Sequence, residues 1–134
     1  MTVRRRAEAG TALIEFALVL PILCVLAMGM LDFGRAFHMK GLLDQAAREG
    51  ARIAVVTDPD ADLVEARVNA VLGSGGIASE TINVAGPDPA HMVTVTVTST
   101  FTFITPGVFA LIGADAGGNI SMTGQCVMRF ESGS

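Results

Sequence analysis

Gly10-Thr11-Ala12-Leu13-Ile14-Glu15-Phe16-Ala17-Leu18-Val19-Leu20-Pro21, continued by Ile22-Leu23-Cys24-Val25-Leu26-Ala27-Met28-Gly29-Met30-Leu31, decides how this chain is organised. Three arginines, Arg4, Arg5 and Arg6, precede it. From Thr11 to Leu31 the only charged side chain is Glu15. As a helix, about 21 residues at roughly 1.5 Å each reach on the order of 30 Å, one hydrocarbon thickness. An unpaired acid at the centre of such a span costs roughly 2.5–3.5 kcal/mol, and less towards an end, so Glu15 calls for a cation. Cutting the chain after Gly10 supplies one: the new α-amino group of Thr11 lies one helical turn from Glu15 on the same face. Between packed subunits that pair sets the axial register of one helix against the next.

Two other readings fit the same residues. In an uncleaved single-pass anchor, Glu15 sits near the interface with Arg4 to Arg6 close by. In a secretory signal, the arginines form the charged start and Ala27-Met28-Gly29 the cleavage site, but the apolar stretch is long for one. A lipidated Cys24 is disfavoured by the bulky Leu23 before it.

Outside this span the composition fits one small module. The chain has 134 residues, and about a hundred follow Leu31, enough for one compact core. The first ten residues hold three arginines against Glu8, and the rest holds six basic against twelve acidic residues. The basic end is therefore expected on the cytoplasmic side. An acidic remainder without a basic cluster gives nucleic acid no electrostatic foothold.

The helical pattern continues beyond the membrane with charges interleaved among apolar residues, so one helix is expected from about Thr11 to Val56. Asp44 and Arg48 are spaced to pair on its flank. Ala46, Gly50 and Ala54 form a small-residue stripe against which the domain packs, and Gly50 costs roughly 1 kcal/mol relative to alanine in an isolated helix. Pro21 frees the Ala17 carbonyl and predicts a kink, either as a bendable joint or as a tolerated membrane proline.

A second, short helix follows, with Asp58 as cap, Pro59 in its first turn, an apolar stripe of Leu63, Ala66, Ala70 and Val71, and an end at Gly73-Ser74-Gly75-Gly76. Asp60, Asp62 and Glu65 suit the positive end of its dipole; their spacing is not that of a calcium loop. From Met92 to Ile104 the period changes to two. Val93, Val95, Val97, Phe101 and Phe103 alternate with Thr94, Thr96, Thr98, Thr100 and Thr102. Thr81 to Val84 and Asn119 to Phe130 read as further strands, joined to it through Gly86-Pro87-Asp88-Pro89 and through an apolar loop around Pro106-Gly107. That loop either docks a partner or folds back over the sheet. The expected fold is α+β: a long membrane-spanning helix, a second short helix and a three- to four-stranded antiparallel sheet whose apolar face covers the helix between Arg35 and Val56. Cys126 is placed on the apolar side of its strand with Ile120, Met122, Met128 and Phe130, and no disulfide to Cys24 is expected.

No chemistry emerges from motif spacing. His38 and His91 have no matched acid or nucleophile, and no phosphate-gripping glycine motif or paired-cysteine metal pattern occurs. No enzymatic activity, metal or cofactor is expected.

The arginines, Gly10 with Glu15-Phe16 five residues on, Ala17-Leu18-Val19-Leu20-Pro21, and Ala46-Ala47-Arg48-Glu49-Gly50-Ala51-Arg52 together resemble the TadE-like minor pilins of tight-adherence (Flp) type IV pilus systems. The resemblance spans Arg4 to Val56 and implies a pilin-like fold. It also implies a leader of residues 1–10, a transmembrane helix over 11–31 and a periplasmic or extracellular domain over 32–134. A prepilin peptidase would cut between Gly10 and Thr11, with Glu15 and Phe16 serving recognition or assembly. The implied function is pilus assembly or initiation, surface adhesion and biofilm formation. Implied partners are the peptidase, another minor pilin of TadF-like type, the major Flp pilin, the inner-membrane assembly platform and membrane lipid. The alternative is an uncleaved envelope protein that displays a binding or adhesin domain.

Overall fold

The computed structural model describes residues 2–57, 60–104 and 118–129. The chain is α+β: a helix α1 (Thr2–Ala54), a second helix α2 (Ala61–Ser74) and strands β1 (Thr81–Ala85), β2 (Met92–Thr102) and β3 (Asn119–Arg129). The strands form an antiparallel sheet in the order β1-β2-β3.

The long helix departs from expectation at both ends. It begins before Thr11, because residues 2–10 contain no proline and include three arginines, two alanines and one glutamate, all good helix formers. It ends at Ala54 rather than Val56. There the amides of Val56 and Thr57 both donate to the Ile53 carbonyl, and the Thr57 hydroxyl adds a bond to the same oxygen at 2.9 Å. The helix runs on through Pro21.

The start of α2 also needs correction. Its N-cap is Asp60, whose Oδ1 accepts the Asp62 amide at 3.1 Å; Asp58 and Pro59, expected in those roles, lie outside the described residues. The buried stripe is Val64, Val68 and Leu72; of the expected stripe Val71 is half-buried against the core, whereas Leu63, Ala66 and Ala70 are exposed. The three buried residues lie four apart and present branched side chains to α1, where the alanines of the expected set would leave space. The helix stops where Gly75 caps it and Gly76 takes a positive φ of 69°.

The alternation of β2 is realised: Val93, Val95, Val97, Phe101 and Phe103 are buried, and the threonines face away from the core. Phe101 and Phe103 meet edge to face with ring centroids 5.0 Å apart. Strand β1 reaches β2 through a turn held by Asp88, whose Oδ1 accepts the amides of Ala90 and Met92 while His91 adopts a positive φ of 56°. On β3, Met122, Cys126 and Met128 are half-buried against the core, but Ile120 is exposed. Phe130 and the apolar loop around Pro106-Gly107 lie outside the described residues.

The core is a two-layer packing of the C-terminal part of α1, together with α2, on one face of the sheet. Its floor is Met39, Leu43, Ala46, Ala47, Ala51 and Ala54 of α1.

Candidate functional site: the uncovered helix and its junction with the domain

From Ala12 to Leu31 every side chain of α1 is exposed or half-exposed, and the helix is long and apolar enough to cross a membrane. Leu13, Ile14, Phe16 and Leu18 are between 59% and 70% exposed. Glu15 shares this surface, as do Pro21 and Cys24. Gly10 is half-buried within the unbroken helix, with open space where a Cβ would stand. The side chains of Arg4, Arg5, Arg6 and Thr11 lie outside the described residues. Water is a poor solvent for so many leucines, isoleucines and valines; lipid or the apolar helix of another subunit is a good one.

Cover begins at Asp32. Its side chain is fully buried, and both carboxylate oxygens accept the Ile104 amide at 3.0 Å. Arg35, one turn on, donates to Oδ1 at 3.2 Å and lays its guanidinium over the Phe101 ring, 5.2 Å from the centroid. The first acid after the apolar run therefore fastens the end of the central strand to the helix, with charge-assisted hydrogen bonds satisfying a carboxylate removed from water. In the sequence Asp32 is one of the charges interleaved among apolar residues beyond the span, and that pattern gives it no partner. The available signal was its position as the first charge past the span.

Higher on α1, Ala46, Gly50 and Ala54 are buried. A Cβ on Gly50 would lie 2.9 Å from a Val68 methyl, 3.2 Å from one of Val95 and 3.3 Å from one of Val64, so α2 and the sheet both close on this glycine. Gly124 in β3 is another close approach to α1, and it was missed: a Cβ there would overlap the backbone of Leu43 and Asp44. An isolated glycine inside an alternating strand is the signature of such an approach.

The expected Asp44–Arg48 pair is replaced. Lys40 Nζ donates to Asp44 Oδ1 at 2.6 Å and to the Thr123 carbonyl at the same distance, because β3 passes on the Lys40 side of the helix. Glu49 accepts from Arg67 of α2 at 3.0 and 3.3 Å. His38 is exposed on α1, and His91 belongs to the β1–β2 turn. Among the described residues no three His, Cys, Asp or Glu side chains converge as a metal site would require.

No curated protein and no solved structure matches the chain. A family model does: Gly10, Glu15, the uncovered apolar run, Asp32 with Arg35, and the Ala46-to-Arg52 segment all fall within residues 10–52, the stretch that is similar to the model of the TadE-like protein family.

Proposed function

We propose that the chain is a minor pilin of a tight-adherence pilus, inserted with Arg4 to Arg6 on the cytoplasmic side and cut between Gly10 and Thr11 by a prepilin peptidase. The mature helix then passes from the membrane into the base, shaft or tip of the filament. The observation that carries this reading is the coincidence of a TadE-like segment with a helix whose large apolar side chains have no cover and include one acid. Glu15, with Phe16 beside it, takes the Thr11 amino group of its own or a neighbouring subunit, which fixes the stagger between helices. Pro21 gives the helix its joint. The partners are a second minor pilin of TadF-like type, the major Flp pilin, the inner-membrane platform and lipid. The domain faces the periplasm, and the assembled pilus serves adhesion and biofilm growth. The protein acts by assembly and not by catalysis.

N-terminal sequencing of membrane and pilus fractions tests the proposal. A chain beginning at Thr11 supports it. A chain still carrying its arginines in cells with normal pili overturns it and favours a permanent anchor displaying a binding domain. Glu15→Ala is expected to insert normally and to lower the number of pili per cell severely; wild-type piliation by that variant removes Glu15 from the mechanism.

A further inference from the structure

At the base of the domain, where it meets the uncovered part of α1, a groove of about 470 Å³ is lined by Arg35 and His38 of α1, Gly76 and Glu80 of the α2–β1 connection, and Thr100 and Phe101 of β2. We propose that this groove holds the headgroup of a zwitterionic phosphoethanolamine lipid from the outer leaflet, its phosphate on Arg35 and His38 and its ammonium on Glu80. The assignment rests on the membrane-spanning reading of α1 and names a ligand for it.

Depth is the first argument. Arg35 lies four residues beyond Leu31 and stands about 6 Å above the end of the apolar run, within a headgroup layer roughly 5–8 Å thick, while His38, seven residues beyond Leu31 and about 10 Å up, reaches back to it from just outside. The surroundings suit that depth: Phe33, Phe37 and Ile104, beside the Asp32 junction, are 48%, 75% and 56% exposed.

Charge is the second argument, and it selects the headgroup. The Arg35 guanidinium is held over Phe101 with half of its surface open. It supplies a fixed donor for phosphate, although Asp32 already offsets part of its charge. Glu80 is exposed, and the C-terminal end of α2 at Gly75 and Gly76 adds partial negative charge. The amides of Gly75, Gly76 and Ile77 are spent on the Leu72 and Gly73 carbonyls, so this wall offers phosphate no free backbone donors of theirs. A groove with one cationic and one anionic wall leaves its acid unmatched by a purely anionic headgroup, and that acid is best matched by a primary ammonium that donates hydrogen bonds. A quaternary choline cannot donate them.

The full chain, reconstituted in nanodiscs of equal parts dioleoyl phosphatidylethanolamine, phosphatidylcholine and phosphatidylglycerol, is extracted in mild detergent, and the retained lipid is identified by native mass spectrometry. Phosphatidylethanolamine is expected to exceed each of the others by about two- to fivefold, the range that exposed ion pairs support. Glu80→Gln abolishes the preference over phosphatidylcholine, and His38→Gln lowers retention of all three lipids while leaving the Asp32–Arg35 pair untouched. Equal retention by the wild-type chain, a preference for phosphatidylglycerol, or an unchanged profile in Glu80→Gln overturns the assignment. Carbonate extraction of cell membranes separates the two levels. A chain released by carbonate removes the membrane reading and the lipid together, whereas a chain retained without lipid preference removes only the groove.

Discussion

Between Leu13 and Leu31, α1 turns its large apolar side chains outward, with exposures from 43% at Leu20 to 74% at Met30; between Leu43 and Ala54 the same helix buries four alanines and a leucine completely. Size and burial run opposite to the habit of a water-soluble helix, where large apolar residues fill the core. The two parts are built for different surroundings. In the upper part, alanine and Gly50 let α2 and the sheet approach the helix axis, so beside Gly50 the space is filled by Val64, Val68 and Val95. In the lower part, long side chains project to fill space that the chain itself does not fill. Asp32 marks the change from one regime to the other.

The sharpest way to break this comparison is to make one substitution in each part. Leu43→Ala removes a fully buried side chain and is expected to cost about 2–5 kcal/mol of domain stability. Leu18→Ala, in the uncovered part, is expected to change it by no more than about 0.5 kcal/mol. Urea unfolding of the detergent-solubilised protein, followed by circular dichroism, measures both. Equal effects would mean that the lower helix packs on the domain and is not reserved for lipid or a neighbour.

Asp32 comes next in size. Replacing it with alanine leaves the Ile104 amide without its carboxylate and Arg35 without its pair, an expected loss of about 1.5–3 kcal/mol. Amide exchange localises the effect: protection at Ile104 and Phe103 falls first while the Val93–Val97 ladder holds. If exchange quickens evenly along β2, the clasp is part of the general core and the boundary between the two parts of the helix is not set there.

How much of this was legible in the sequence follows the physics of each signal. The apolar run, the period-two stretch of β2 and the small-residue stripe are repeating patterns, and repetition survives without knowledge of the partners. The phase of α2 was lost, Val71 apart, because Leu63, Ala66 and Ala70 and the buried set Val64, Val68 and Leu72 lie on adjoining faces of a short helix. Only the valine-shaped space beside Gly50 chooses between them. Single residues whose meaning comes from a distant segment were the least readable. Asp32 binds an amide 72 positions away, and Lys40 binds a carbonyl 83 positions away. No local spacing encodes either. Gly124 was readable in principle, since a glycine interrupting an alternating strand has few other uses.

The smallest effect sharpens the comparison from within the upper part. Glu49 on α1 and Arg67 on α2 make the described ion pair between the two helices, with side chains 28% and 48% exposed. A double-mutant cycle with Glu49→Gln and Arg67→Gln is expected to give a coupling of about 0.2–1 kcal/mol, because solvent screens a pair this open and ordering two long side chains offsets part of the attraction. Raising the salt to about 1 M shortens the screening length to roughly 3 Å and should lower the coupling further. The valines around Gly50 then remain as the chief attachment of α2, and a coupling that stays large in high salt would move that role to the ion pair. In that case a helix lined with alanine and glycine would owe its partner to charge rather than to close approach, and the contrast between the small-residue and large-residue parts of α1 would lose its physical basis.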